Sequence, residues 1–536
     1  MSVSRPRRRS LVTLGFFAAF AIAAFAALWL LDYFVIDAGR RGSAGPFSQL
    51  LDFDAETMQN ALGSLSQVIA AVLGIAITVV AIVVQLAATR YTSRVAEMFF
   101  RDRINLAVMG FFVVACLEAL WVSLTVRKDY VPTATITATV IMASGSLLGL
   151  VPYFAYVFDF LDPEKVIARI GAETLERATS RKQTRAGAAT AADRQTQALG
   201  GLANLADIAV NALGQKDKVI ATDASAALRL LLVQYQTRKG GLDADWFKIG
   251  DTLHEDPDFV ALAADSLDDL ATRRTWLEWK GLRQLREVFG AALSTMPEMA
   301  HVVAIDTRYV GEAALAASDR EVLTLTVKFM NTYLRAALNA RDVRTAYNVL
   351  NQYRQLAESL LAARSAWPQA VLVEIAGHFK YYARLAHGIG LAFVTETAAY
   401  DMCALCEMAS ALEAQCHDRL LGVFLEIDRE PETQAQAEEH ALRGVRKAQA
   451  KLASYYLLHN QSARARRIYD DMASEAPERL RSIRDEMLAI TSKDFWEVVD
   501  RGTNFDYLSD ERKQKLREFF SGFASLAAPA PAPAAE

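Results

Sequence analysis

Four apolar segments lie within the first 160 residues, each long enough to cross a hydrocarbon core of about 30 Å, which takes about 20 helical residues. They run from Leu11 to Leu31, Leu65 to Ala88, Ile104 to Val126 and Thr133 to Phe158. Beyond Phe160 the chain changes character: Ala, Leu, Arg, Glu and Asp alternate at helical spacing, with almost no strand signal. The contrast predicts an all-α protein in which a four-span transmembrane helix bundle precedes a cytoplasmic helical-hairpin domain. The predicted divisions are a transmembrane domain over 1–160, a juxtamembrane basic helix or linker over 161–200, a helical domain over 201–525, and an Ala/Pro tail over 526–536. A net charge of -4 over 536 residues is too small to argue for nucleic acid or an acidic substrate.

Short flanks set the orientation. Arg5, Arg7, Arg8 and Arg9 precede the first span, and Arg90, Arg94, Arg101 and Arg103 fill the turn between the second and third. By the positive-inside rule both flanks are cytoplasmic. Four crossings then return the chain to the cytoplasm, where Lys165, Arg169, Arg177, Arg181, Lys182 and Arg185 follow the last span. The first span is a retained anchor rather than a signal peptide, because its apolar run continues into Trp29, Leu30, Leu31, Tyr33 and Phe34, past the 7 to 15 residues of a secretory core. Trp29, Tyr33, Phe34, Trp121 and Tyr130 are expected to form an aromatic belt at the outer boundary.

The second span carries an inverted pattern. Ser64, Gln67, Ala71, Gly74, Thr78, Ala81, Gln85, Ala88 and Thr92 are small or polar at steps of three and four, so they share one helical stripe. Leu65, Ile69, Val72, Ile75, Ile77, Val79, Val80, Ile82, Val83 and Leu86 surround it. Lipid gives apolar surface no net drive to associate, so small residues that let backbones approach are expected to face inward. On the fourth span Thr135, Thr139, Met142, Ser146 and Gly149 share a face, Gly145 and Gly149 make a GxxxG pair, and Pro152 is expected to kink the helix. Glu118 lies within the third span, where a carboxylate must be protonated, paired or wet. It is about 12 Å from the rim at Val126, so Glu118 is read as reaching the outer interface or bonding a neighbouring helix, with Gln67 and Gln85 holding helices in register, in preference to an ion or proton path through all three.

One stretch carries a family resemblance. Gln85-Leu86-Ala87-Ala88, Tyr91-Thr92-Ser93-Arg94, Phe100-Arg101-Asp102 and Gly110-Phe111 resemble a family of bacterial predicted membrane proteins of unassigned function. That family shows Ser-Pro-Arg where this chain has Thr92-Ser93-Arg94. A second similarity falls at Leu205 to Leu213, where the family continues into Asn-Asp-Pro and this chain reads Gly214-Gln215-Lys216-Asp217-Lys218. The resemblance covers residues 60 to 235 and implies a divergent, multi-span bacterial inner-membrane protein, with Arg94, Arg101 and Asp102 as motif positions. It implies no chemistry.

From Pro163 to Ser525 the expected breaks are Gly200-Gly201, Gly240-Gly241, Asp256-Pro257, Pro297, Trp367-Pro368 and Pro431, separating helical runs of 12 to 25 residues. Short loops between them suggest antiparallel hairpins. Leu452, Ala453, Tyr456, Ala465, Tyr469 and Pro477 resemble tetratricopeptide spacing, and Leu334, Ala337, Ala346 and Leu350 echo it. Pro529, Pro531 and Pro533 mark an extended tail.

Catalytic signals are thin. Cys403, Cys406, Cys416 and His417 offer four zinc ligands by residue type, but nothing interrupts Ala404 to Gln415. A continuous helix puts His417 about 20 Å from Cys403. Buried, reduced cysteines are the better reading, and Cys116 is a packing residue in the third span. No Walker glycine loop, HExxH or GxSxG is present, so the chain is not expected to be an enzyme, and no cofactor or metal is expected. The expected role is an integral inner-membrane scaffold for protein interaction. Its partners are the lipid bilayer, further copies of the chain and a cytoplasmic protein, not nucleic acid. The alternative is an oligomeric channel or transporter with Gln67, Thr78 and Gln85 lining a solute path, though no ring of charge marks a filter.

Overall fold

In the computed structural model, residues 54–90, 93–127, 131–180, 190–427, 443–493, 500–501 and 504–523 are described. The first apolar segment, with its flank and aromatic residues, lies outside them, as do Pro431 and the Ala/Pro tail. Among the described residues every regular element is helical, and the chain divides into two units at Arg169/Ile170.

The first unit contains α1 (Ala55–Arg90), α2 (Ser93–Phe100), α3 (Arg103–Thr125), α4 (Thr133–Phe160) and the start of α5 (Pro163–Thr179). Three of these are long and apolar enough to cross a membrane: Ala55–Ala87, Arg103–Thr125 and Thr133–Phe160. The first starts ten residues before the expected Leu65. Polar Glu56, Gln59 and Asn60 end the apolar run but not the helix, whose start is held by Asp54 accepting from the Thr57 amide and hydroxyl (3.0 and 2.8 Å). α4 continues through Pro152 to Phe160.

The face of α1 that packs on α3 and α4 is apolar, and the expectation of a small, polar inward face is overturned. Leu62 meets Val122, Val126 and Ile136, and Ile69 meets Phe112 and Ala143. Ala76, Val80, Val84 and Ala87 continue that buried line. Counted at 3.6 residues per turn, it lies roughly opposite the small stripe. Medium-sized apolar side chains interdigitate at this contact, so close backbone approach is not what joins these helices. The expected GxxxG contact is likewise not made: a Cβ at Gly145 would meet only the Phe111 ring edge at 4.0 Å, and one at Gly149 would meet nothing within 4 Å.

The second unit continues α5 and adds α6 (Ala191–Gly214), α7 (Lys218–Lys239), α8 (Asp251–His254), α9 (Ala264–Thr272), α10 (Trp276–Thr295), α11 (Pro297–Ala316), α12 (Arg320–Asn339) and α13 (Val343–Ala362). Then follow α14 (Ala366–Gly388), α15 (Ala392–Ala411), α16 (His417–Leu425), α17 (Arg443–Leu458), α18 (Ser462–Met472), α19 (Pro477–Ala489) and α20 (Asp510–Ser521). Two rows form: α7, α11, α13, α15, α17 and α20 pack in sequence, and α6, α10, α12, α14 and α16 pack alongside.

A recurrent turn builds this stacking. Lys216, Ser318 and Arg341 take left-handed φ values of 59°, 56° and 53° just past α6, α11 and α12. The next residue, Asp217, Asp319 or Asp342, sends its amide back to Ala212, Ala314 or Ala337 (2.8, 2.8 and 3.0 Å). Its carboxylate then caps the following helix at Ile220, Val322 or Thr345. One residue type thus closes a helix and opens the next.

Two expectations fail here. Gly200-Gly201 is no break: both lie inside α6, and the segment 161–200 holds all of α5 and the start of α6. A Cβ at Gly201 would sit 1.9 Å from Thr174 Oγ1, so the glycine is a contact point between α5 and α6. Conversely, Ala404 to Gln415 is not one helix. α15 ends at Ala411, Glu413 takes φ 50°, and α16 starts at His417.

Candidate functional site

Along α1 the stripe residues Ser64, Gln67, Ala71, Gly74, Thr78, Ala81 and Gln85 are all exposed. A Cβ at Gly74 meets nothing within 4 Å, and the Thr78 hydroxyl is spent on the Gly74 carbonyl at 2.8 Å. The side chains of Ala88 and Thr92 lie outside the described residues. On α4, Thr139 and Ser146 are buried with their hydroxyls on the Thr135 and Ala143 carbonyls (2.9 and 2.8 Å), Thr135 is exposed, and Gly149 is half-buried. Glu118 is half-buried, and no hydrogen bond among the described residues joins it to Gln67 or Gln85. Large apolar side chains such as Ile75, Leu124, Ile141 and Val151 face outward, each at least 65% exposed. Water opposes such a surface and lipid accepts it.

The motif residues form a structural joint. Asp102 caps α3, accepting from the Ile104 and Asn105 amides (2.8 and 3.2 Å) and from the Tyr156 hydroxyl (2.5 Å). Asn105 accepts from the Tyr153 hydroxyl at 2.7 Å and donates to the Phe99 carbonyl at 3.4 Å. Phe99 packs edge-on against Phe160, which the Arg169 guanidinium covers at 3.9 Å. Asp102 therefore ties α3 to α4. Arg101 is exposed, and the Arg94 side chain lies outside the described residues.

The cysteine and histidine positions serve the core. Cys403 and Cys406 are buried on α15, and burial pushes both thiols up. The Cys416 amide donates to Gln369 Oε1 at 3.0 Å, and His417 Nε2 pairs with the Tyr456 hydroxyl at 2.7 Å. Burial lowers His417 to about 4. Among the described residues no group of three or more His, Cys, Asp or Glu side chains could hold a metal ion. The tetratricopeptide-like positions Leu452, Ala453, Tyr456 and Ala465 are buried, as are Leu334, Ala337, Ala346 and Leu350, while Pro477 is the first residue of α19.

The second unit also holds a site that the sequence reading missed. A cleft of about 530 Å³ opens between α13, α15 and α17, closed by Asp500, Arg501, Phe505 and Arg512. Asp401, buried on α15, receives both terminal nitrogens of Arg501 (2.5 and 3.1 Å) and Arg354 Nε (3.1 Å). Arg501 Nη2 also donates to the Tyr347 carbonyl at 2.7 Å, and its guanidinium lies 4.3 Å from the Tyr347 ring centre. Phe505 stacks on Tyr400 at 5.0 Å, and the Lys451 ammonium donates to the Phe505 carbonyl at 2.5 Å. Asp506 accepts from Lys447 at 3.1 Å and from the Tyr400 hydroxyl. Arg512 pairs with Glu407 at 2.7 Å, and Asp500 is held by Arg344 and Asn348 (3.0 and 2.9 Å), which lower it to about 2. The partners stand up to 156 residues apart in the chain. The available signal was local: Asp401 occupies a core position of α15, between Ala398 and Leu405, where a lone carboxylate needs a counter-charge.

Three apolar helices with a lipid-compatible surface define the class, a predicted membrane protein with a further helical region. Within that class, residues 8–200 match the family described as "Predicted membrane protein (DUF2254)", whose function is unknown. The match begins before the first apolar segment and ends short of the second similarity at Leu205 to Leu213, so it is displaced from the expected 60 to 235. Among curated proteins nothing matches. A solved structure titled "Circular tandem repeat protein with novel repeat topology and enhanced subunit contact surfaces" is similar at 12% identity, covering 88% of this chain and 97% of that one. Its TM-score of 0.32 carries no argument.

Proposed function

We propose that this chain is a four-span protein of a bacterial inner membrane that anchors a cytoplasmic helical scaffold for protein interaction, and that it is not an enzyme. One observation carries the reading. Residues Arg501, Phe505 and Asp506 lie across α13, α15 and α17, gripped through main-chain carbonyls, ring faces and charges together. A surface that holds Arg501, Phe505 and Asp506 of its own chain in this way has the chemistry to hold a peptide from a protein partner. The two rows of helices support helical hairpins stacked in a tetratricopeptide-like manner. The arginine flanks support cytoplasmic N and C termini. The bilayer is the first partner, and nucleic acid is not one.

The test is purification from native membranes with cross-linking and mass spectrometry. A stoichiometric partner whose cross-links map to α13, α15 and α17 supports the scaffold. Cross-links confined to copies of this chain refute it. A reporter fused after Phe160 checks orientation, and periplasmic activity there overturns the topology.

A second reading rests on the exposed stripe of α1. Copies assembled with Gln67, Thr78 and Gln85 around a common axis would enclose a solute path. Cysteine at Thr78 would then react with a water-soluble thiol reagent in intact membranes, and complete protection counts against it.

A further inference from the structure

The cleft between α13, α15 and α17 has an unbalanced lining. Arg501 and Arg354 share Asp401, and Arg354 also reaches Glu358. Glu407 is matched by Arg512, and Asp500 by Arg344. Lys451 is the lining cation left over: among the described residues no carboxylate lies within ion-pair distance of its ammonium. Glu407 and Asp506 act on it only through space, and burial pushes its pKa down. An ammonium carries three donors, and the Phe505 carbonyl takes one. Nearby, the Nε of Arg501, on a side chain that is 6% exposed, is buried with no acceptor among the described residues.

These are donors and positive charge in search of an acceptor that is also an anion. The volume of about 530 Å³ falls among small-molecule sites. Tyr400 and Phe505 provide ring surface at one wall, and the amides of Asn351 and Gln355 provide adaptable hydrogen bonding at another.

We propose that this cleft binds a small molecule through an oxyanion, a carboxylate or a phosphate, that docks on the Lys451 ammonium and the Arg501 Nε–H. Charge-assisted hydrogen bonds of this kind are the strong ones, and the partly dry lining favours them further. The inference is independent of the scaffold reading, since it needs the cleft and no protein partner.

The test uses the full chain purified in mild detergent and equilibrium dialysis with two radiolabelled probes, inorganic phosphate and succinate, at constant ionic strength set by sodium chloride. One saturable site per chain is expected for at least one probe, and which probe binds distinguishes phosphate from carboxylate. Lys451→Met weakens that binding at least about tenfold, the loss of one charge-assisted contact. Lys451→Arg retains it, and Lys515→Met, a half-buried α20 position paired with Glu518 and outside the cleft lining, leaves it unchanged. Gln355→Trp keeps the ammonium but fills the cavity and blocks binding, which guards against a Lys451→Met chain that fails to fold. Binding of neither probe, or binding that survives both Lys451→Met and Gln355→Trp, overturns the proposal. Either result leaves the cross-linking test of the scaffold untouched.

Discussion

Removing the Asp401 carboxylate should be among the most damaging single changes in the second unit. Asp401 is 2% exposed and Arg501 6% exposed, so the pair is made away from water, with two hydrogen bonds between them and a third from Arg501 to the Tyr347 carbonyl. Asp401→Ala strands a buried guanidinium, and breaking a buried pair from one side costs about 3–5 kcal/mol. Arg501→Met is milder, at about 2–3 kcal/mol, because Asp401 keeps Arg354 as a partner and no unpaired charge remains. In the double variant the stranded charge is gone as well. The two losses therefore overlap by about 2 kcal/mol instead of adding. The assay is urea unfolding of the full chain in mild detergent, followed by the fluorescence of Trp246 and Trp276, both buried in the second unit. A double variant whose loss equals the sum of the two single losses would refute the pairing.

Three further outcomes test other parts of the account. Gly74→Trp should leave the stability of the isolated chain unchanged, since a Cβ there meets open space, whereas Ala76→Trp should lose about 3 kcal/mol by overpacking a position that is 1% exposed; equal losses in a thermal melt would put the stripe back in the core. Gly201→Ala should destabilise by about 1–3 kcal/mol, because its Cβ would overlap the Thr174 hydroxyl. In an open helix the same change stabilises by about 1 kcal/mol, so the sign measured in urea decides. Asp306 is raised to about 6 by burial, against the opposing Ser225 hydroxyl (2.5 Å) and Arg229 (2.8 Å). Between about pH 4 and 6 the folded chain keeps a proton that the unfolded chain has lost, so stability falls as pH rises through that window, by about 3 kcal/mol. Asp306→Asn should remove this slope, and an unchanged pH profile in urea titrations from pH 4 to 7 would contradict it.

Much of the helical content could be read directly, and the errors share a cause. The spans beginning near Ile104 and Thr133 end within two residues of the expected positions, because long apolar runs give helices an unambiguous signal. Breaks expected at Gly240-Gly241, Asp256-Pro257 and Pro297 coincide with helix ends or loops, where proline and glycine act locally. The break at Gly200-Gly201 failed because glycine also serves close contact, and the sequence does not say what approaches it. The turns at Ser318, Arg341 and Glu413 went unseen because arginine, serine and glutamate have no strong local preference for left-handed φ. Those residues are held there by the hydrogen bonds of the helices they join.

The sequence by itself determined that three of the described helices suit a bilayer and that the rest of the described chain is helical, since both follow from hydrophobicity and period along one strand of residues. It also determined that α1 has two unlike faces. Which face meets α3 and α4 was decided only in three dimensions, because both faces are compatible with lipid and the choice depends on the shapes opposite, Phe112 and Ile136 among them. The cleft is likewise a product of tertiary structure. Asp401 and Arg501 are 100 positions apart, and only the folding of α13, α15 and α17 brings one charge to its counterpart and leaves Lys451 without one.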